Sequence, residues 1–251
     1  MKPSTKNSTF QRLRLRGSGH HGMRNAYQTA LTSGATESLS PDEILAAIVQ
    51  AEWEDRHNRR SQYLLTQAKF RQNAALEQID FSSNRQGLNR ANILQLATCN
   101  FIQRGEHVLI TGPTGVGKSF LATALGNAAC IKGFKVLFTS AAKLLTQLLN
   151  DKADGTYLKK LNHITRHNLL ILDDFGLHPL QEADQLILYD LIEDMTHKNA
   201  LIVTSQIPIE HWHQLITQST LADAVMDRII HNAHRIDLKG HSLRKNIDQN
   251  T

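Results

Sequence analysis

Gly112-Pro113-Thr114-Gly115-Val116-Gly117-Lys118-Ser119 is the stretch of this 251-residue chain whose reading decides the fold. It is a full match to G-x-x-x-x-G-K-[ST], preceded by a β-branched run and followed by a helical pattern, the context in which that spacing holds phosphate. Glycines allow a bend tight enough for consecutive N–H groups to converge on one phosphate, and a helix starting near Lys118 adds the positive end of its dipole. The Lys118 ammonium belongs beside the β- and γ-phosphates, and the Ser119 hydroxyl on Mg2+. The run from Gly112 through Phe120 is the expected cofactor-binding segment, for ATP with Mg2+. A glycine turn that only caps a helix is the competing reading, and the strand and helix on either side argue against it.

From about residue 101 onward, short apolar runs alternate with helical stretches, which is how a parallel α/β sheet reads. Five strands are predicted, over 108–111, 136–139, 169–173, 201–205 and 234–238, with connections long enough for helices on both faces. The third, Leu169-Leu170-Ile171-Leu172-Asp173-Asp174, ends in two carboxylates. Asp173 is expected to hold Mg2+ through water, and Asp174 to polarise the attacking water as general base. Alone, such an ending is weak, because any parallel strand can end in an acidic cap or turn residue; the cradle upstream makes it specific. The fourth strand ends in Thr204-Ser205-Gln206, where the carboxyl edge of a parallel sheet meets its ligand. Gln206 is the favoured γ-phosphate sensor, although ordinary strand-exit polarity explains the same residues.

Upstream, residues 1–36 are basic and rich in Ser and Gly, with Gly17 to Gly22 reading as a flexible joint in a partly disordered arm. No acidic residue precedes Glu37, while Lys2, Lys6, Arg12, Arg14, Arg16 and Arg24 are all positive, a candidate polyanion contact. Ser40-Pro41-Asp42-Glu43 carries an N-cap, a proline at the first helical position and a glutamate three residues after the cap. A long amphipathic helix follows, with Ile44, Leu45, Ile48 and Ala51, extended by Leu64 and Leu65, on its apolar stripe and Arg56, Arg59 and Arg60 on the other side. The expected division is 1–75, a basic arm and helical N-terminal domain for partner or DNA contact, and 76–251, the ATPase domain.

A composition of 41% hydrophobic and 20% charged residues is that of an ordinary globular protein and excludes collagenous, coiled-coil or wholly disordered classes. Cys99 and Cys130 fit neither a zinc spacing nor a disulfide framework, so buried thiols in a reducing compartment are expected. The apolar runs fall well short of the roughly 20 residues of a membrane span. With no apolar signal core at the amino terminus, no membrane partner and a cytoplasmic location are expected. The net charge of +5 suits an anionic partner if it is clustered, and means only solubility if it is spread. Clustering is visible between residues 141 and 167, where Lys143, Lys152, Lys159, Lys160 and Arg166 stand against Asp151 and Asp154. These five are the candidate DNA contacts, through phosphates and without base reading; a solvated helix face is the alternative.

Longer phrases make the match specific. Residues 104–112 leading into the cradle, Leu172-Asp173-Asp174-Phe175-Gly176-Leu177, Thr204-Ser205-Gln206-Ile207-Pro208 with His211-Trp212, and Asp227-Arg228-Ile229-Ile230-His231-Asn232-Ala233-His234-Arg235 resemble the IstB family of transposition helper ATPases, itself similar to the DnaC helicase loaders. The resemblance covers about 40–246. It implies a minimal AAA+ module without the usual C-terminal lid, forming ATP-dependent homo-oligomers on duplex DNA and recruiting a transposase. In that family the Asp-Arg-Ile segment supplies an arginine finger, which implies that Arg228 reaches the γ-phosphate of a neighbouring subunit. Gly240-His241-Ser242-Leu243-Arg244 resembles the family's Gly-Glu-Ser-x-Arg ending, which makes Arg244 a candidate second phosphate contact, with a solvated surface arginine as the alternative.

Two departures stand out. Gly17 to Gly22 looks inserted, and Asp174 occupies a place where AAA+ enzymes commonly carry glutamate. Three other functions remain open from the sequence: a replicative helicase loader, a small-molecule kinase in which Asp174 activates an acceptor hydroxyl, and a scaffold that binds ATP without turnover.

Overall fold

The computed structural model describes residues 19–34, 39–81, 86–196 and 198–243. Lys2, Lys6, Arg12, Arg14, Arg16 and Arg244 lie outside the described residues. The chain divides into two compact units, Met1–Gln62 and Tyr63–Thr251.

In the first unit, α1 (His21–Thr32) is followed by the long α2 (Pro41–Ala68), which continues into the second. Helix α2 begins as its sequence dictates: the Ser40 backbone N–H donates to Glu43 Oε2 at 2.8 Å, and the Glu43 N–H donates back to Ser40 Oγ at 3.3 Å. The predicted joint is partly helical instead. His21 and Gly22 open α1, and Gly22 lies so close to the backbone of Ala51 and Glu52 that a Cβ there would overlap it. That packing overrides the local flexibility of a glycine-rich stretch. Of the predicted apolar stripe, Ile44, Ile48 and Ala51 are partly covered and Leu45 stands 60% exposed; Val49 and Trp53, each four residues further on from Leu45, are 50% and 61% exposed.

The second unit holds a sheet of five parallel strands, β1 (His107–Thr111), β2 (Val136–Ser140), β3 (Leu169–Phe175), β4 (Ala200–Ser205) and β5 (Ala233–Asp237), in the order β2-β3-β4-β1-β5. Alternate residues enter different cores, so the strands read as continuous apolar runs. Val108, Ile110, Leu169, Ile171 and Ile202 face one core with α3 (Arg90–Ala97), α4 (Asn100–Gln103) and α5 (Lys118–Ile131). Leu109, Leu170, Leu172, Leu201 and Val203 face the other, with α6 (Ala141–Ala153), α7 (Tyr157–Ile164), α8 (Glu182–Met195) and α9 (Ser219–Ile230). The result is the three-layer α/β arrangement expected, with β5 one residue earlier than its pattern suggested. Residues 63–75, grouped by sequence with the N-terminal part, fall in this unit, where Leu64, Ala68 and Ala74 are buried in the first core.

His107 ties the amino ends of β1 and β4 to the last turn of α9. Its Nδ1 accepts the Leu201 backbone N–H at 3.2 Å, and its ring also hydrogen-bonds the Arg228 backbone. Burial pushes its pKa from 6.5 down to about 4. The unfolded chain therefore takes up a proton near pH 6.5 that the folded chain resists until about pH 4. Stability is full above the upper value, falls as pH drops through this window, and loses up to about 3 kcal/mol. Half-buried His167, also shifted down by burial, adds to the same slope. Melting temperatures of wild type and His107→Gln between pH 7 and 4 check this; the variant is expected to show a clearly flatter profile.

Candidate functional site

The carboxyl ends of β1, β3 and β4 converge where the strand order reverses, the usual ligand position in an open α/β sheet. After Thr111 the backbone turns through Gly112 at φ 143°, where a Cβ would collide with the Leu238 carbonyl oxygen. At Gly115, φ 85°, a Cβ would collide with the Ser242 side chain. The bend is therefore closed from outside by the segment after β5, and the Leu243 N–H donates to the Gly115 carbonyl at 2.9 Å. Lys118 opens α5, buried, with Nζ donating to the carbonyls of Gly112 and Pro113 at 2.8 Å each. Val116 is buried in the first core and anchors the loop.

Hydroxyls hold the Asp173 carboxylate and the Asp174 backbone. Asp173 Oδ1 accepts from Ser119 Oγ at 2.7 Å and from Thr204 Oγ1 at 2.6 Å, and the Thr204 hydroxyl in turn accepts the Asp174 N–H at 3.0 Å. The register between β3 and β4 slips between Leu172 and Phe175, and Asp174 adopts φ 58°. This irregularity swings the Asp174 carboxyl out of the sheet into the cleft, as bulges beside active sites do. Gln206 Oε1 accepts from Thr114 Oγ1 at 2.8 Å, joining the end of β4 to the cradle. Together, Thr114, Gly117, Lys118, Ser119, Asp174 and Gln206 line a cleft of about 350 Å³. Phe120 and Leu243 border the same space.

Four further residues shape this region, three of them without any signal in the sequence. Gln72 and Gln78 line the cleft, and the Arg71 guanidinium lies 3.7 Å from Asp173 Oδ2 and 3.9 Å from Asp174 Oδ2. Nothing in their spacing marks them, because they lie more than thirty positions upstream of the cradle. Thr204 is the fourth: it belongs to the predicted end of β4, but its bridging of both aspartates depends on β3 and β4 being neighbours.

Arg228 is not brought to this cleft. It sits in the last turn of α9, its Nη1 donating to the Ala224 carbonyl at 2.9 Å and its Nη2 to Glu193 Oε2 at 2.7 Å, with the guanidinium over the Tyr189 ring. Through His107 its backbone is tied to the amino end of β1, about 13 Å of strand from the cradle. The five candidate DNA contacts are spread over α6, α7 and the turn after α7. Lys143 and Lys152 mark the two ends of α6, Lys152 lying over the Tyr157 ring, while Lys159 and Lys160 are on α7. Arg166 lines a separate cleft of about 250 Å³ with Tyr63, Lys135, His163 and His167. Among the described residues no helix is long and apolar enough to cross a membrane.

Set against known proteins, residues 11–251 match the family described as IstB-like ATP binding protein. The chain is 40% identical over 233 residues to the insertion sequence ATP-binding protein y4pL of Sinorhizobium fredii, covering 93% of this chain and 95% of that one. It is 32% identical over 217 residues to the insertion sequence IS21 ATP-binding protein of Pseudomonas aeruginosa, covering 86% and 82%. Among solved structures it resembles the DnaC helicase loader, with a TM-score of 0.59 at 23% identity over 68% of this chain and all of that one. It also resembles AMPPCP-bound DnaA from Aquifex aeolicus, with a TM-score of 0.57 at 21% identity over 72% of this chain and 55% of that one. At these identities the structural likeness bears on the fold, which is that of AAA+ proteins.

Proposed function

Because the chain belongs to the IstB-like ATP-binding protein family, we propose that it is a Mg2+-dependent ATPase that assembles with its own copies on duplex DNA, engages a transposase, and leaves the DNA on hydrolysis. The observation that carries this reading is the hydroxyl-bridged pair of aspartates facing the lysine cradle across one cleft. That constellation serves phosphoryl transfer to water, and its arginine stands elsewhere, as a residue serving a neighbour would.

The residues present fit the ligand. Gly112, Gly115 and Gly117, at φ 143°, 85° and 95°, give the bend the backbone conformation in which consecutive N–H groups can turn to one phosphate, and Lys118, now on two carbonyls, has a ready exchange partner in phosphate oxygens. Ser119 Oγ and Asp173 offer hard oxygen donors of the kind Mg2+ takes, and the ion when bound supplies charge neutralisation at the β- and γ-phosphates. Asp174 takes the proton of the attacking water as its oxygen bonds to the γ-phosphorus; the bridging P–O bond breaks and ADP leaves with the electron pair. Gln206, fixed by Thr114, orients that water or reads the γ-phosphate. Thr204 ties the Asp173 carboxylate to the Asp174 backbone.

For DNA, the supporting features are the exposed Lys143, Lys152, Lys159 and Arg166 and the partly buried Lys160, which touch phosphates without reading bases. For a protein partner it is the open stripe of Leu45, Val49 and Trp53 on α2. The test is phosphate release and sedimentation with duplex DNA, single strands or neither, in ATP or ADP. Large assemblies are expected only with ATP and duplex, with faster release there. Release that ignores DNA over a wide protein range would sink the assembly mechanism.

A further inference from the structure

The geometry points to Arg71 as a second cation of the nucleotide cleft, supplied by the same subunit and directed at the terminal phosphate of ATP. This rests on reading the cleft as the ATP site.

The placement of Arg71 is built, not incidental. Helix α2 ends at Ala68, and Lys69 takes the left-handed conformation at φ 59°. Phe70 then enters the first core, edge-on to Phe138 with ring centroids 6.0 Å apart. Its ring occupies the space beside Gly126 of α5, where an added Cβ would lie 2.8 Å from Phe70 Cε1. Gly126 is thus the socket of a knob, and the knob fixes the residue after it. Arg71 is held within 4 Å of the carboxylates of both Asp173 and Asp174, and Gln72 lines the cleft itself.

Charge explains why a cation is wanted there. Mg2+ with a triphosphate carries about two negative charges, and Asp173 and Asp174 add two more. Among the described residues lining the cleft Lys118 is the only base, and it approaches from the cradle side. Arg71 answers this excess from the side of the aspartates. Its contacts with them, at 3.7 and 3.9 Å, are beyond hydrogen-bond length, and its side chain is half exposed. The guanidinium is therefore attracted to this place without being locked by bidentate bonds, and its donors can turn to a phosphoryl oxygen that arrives beside Asp174. A diphosphate brings no such oxygen, so the contact discriminates ATP from ADP.

The test uses the full chain with Mg2+, measuring the affinity of ADP and of a non-hydrolysable ATP analogue by fluorescence competition for wild type, Arg71→Ala, Arg71→Lys and Phe70→Ala. Arg71→Ala is expected to weaken the triphosphate analogue by about tenfold while ADP stays within about twofold, with Arg71→Lys recovering part of the loss. Phe70→Ala, if folded by its thermal transition, is expected to follow Arg71→Ala in this ratio. An unchanged triphosphate-to-diphosphate ratio in Arg71→Ala overturns the inference and leaves the ATP site standing. Tighter triphosphate binding by Arg71→Ala also overturns it, since the arginine would then compete with the ligand. Wild type that binds neither nucleotide removes the reading of the cleft and the inference together.

Discussion

Arg228→Ala is expected to lower ATP turnover by about three orders of magnitude while leaving nucleotide affinity within a few-fold. The affinity is spared because the Arg228 side chain is engaged with Glu193 and Tyr189, away from its own cradle. The turnover falls because a fixed guanidinium neutralises charge that develops only in the transition state. Mixing provides the decisive measurement. Lys118→Ala subunits keep the finger and lose the cradle, Arg228→Ala subunits do the reverse, and the mixture is expected to hydrolyse ATP when neither alone does. A structural role for Arg228 predicts otherwise: Glu193→Gln, which removes the partner and keeps the guanidinium, would then reproduce the defect, and mixing would restore nothing.

Lys118→Ala is expected to weaken ATP binding by about a hundredfold or more, with loss of all measurable hydrolysis. In the folded chain the ammonium bridges the Gly112 and Pro113 carbonyls, so it also braces the bend. Its removal leaves those carbonyls facing an open cleft where water can reach them, and the cost in stability should be small. Isothermal calorimetry with ATP and Mg2+, alongside a thermal melt, separates the two effects. Unchanged ATP affinity in folded Lys118→Ala would remove the assignment of the cradle.

The cradle and the strand before it were legible because both signals are local: glycines at fixed offsets, a β-branched run, then a helical pattern. The Ser40 cap was legible for the same reason, since a capping box needs four consecutive residues and no tertiary partner. Sheet order is different. Thr204 bridges Asp173 and Asp174 only because β3 pairs with β4, and pairing is decided by helices packing on both faces. Arg71 was hidden more deeply, behind a boundary drawn at residue 75, because the contact that fixes it is one ring in one glycine socket, a tertiary contact with no local signal. The joint at Gly17 to Gly22 misled in the opposite sense: glycine reads as freedom, yet Gly22 is used for close helix approach.

The aspartate that departs from the common glutamate also finds a physical reason. Asp174 lies at φ 58°, a region that aspartate and asparagine enter several-fold more readily than other side chains bearing a Cβ. A longer acid there would carry the same strain without the short side chain's local compensation, so the irregularity in β3 and the residue type belong together.

The cradle follows one end of β1 and Arg228 is tied to the other. If each arginine completes its neighbour's centre, copies must join head to tail, and a row of them is a polar filament with unlike tips. One tip carries an idle guanidinium; the other carries a centre that nothing completes and that keeps its nucleotide longest. Every completed centre then lies where two copies meet, so in such a filament ATP is spent at the junctions and the centre at the open tip is the last to turn over.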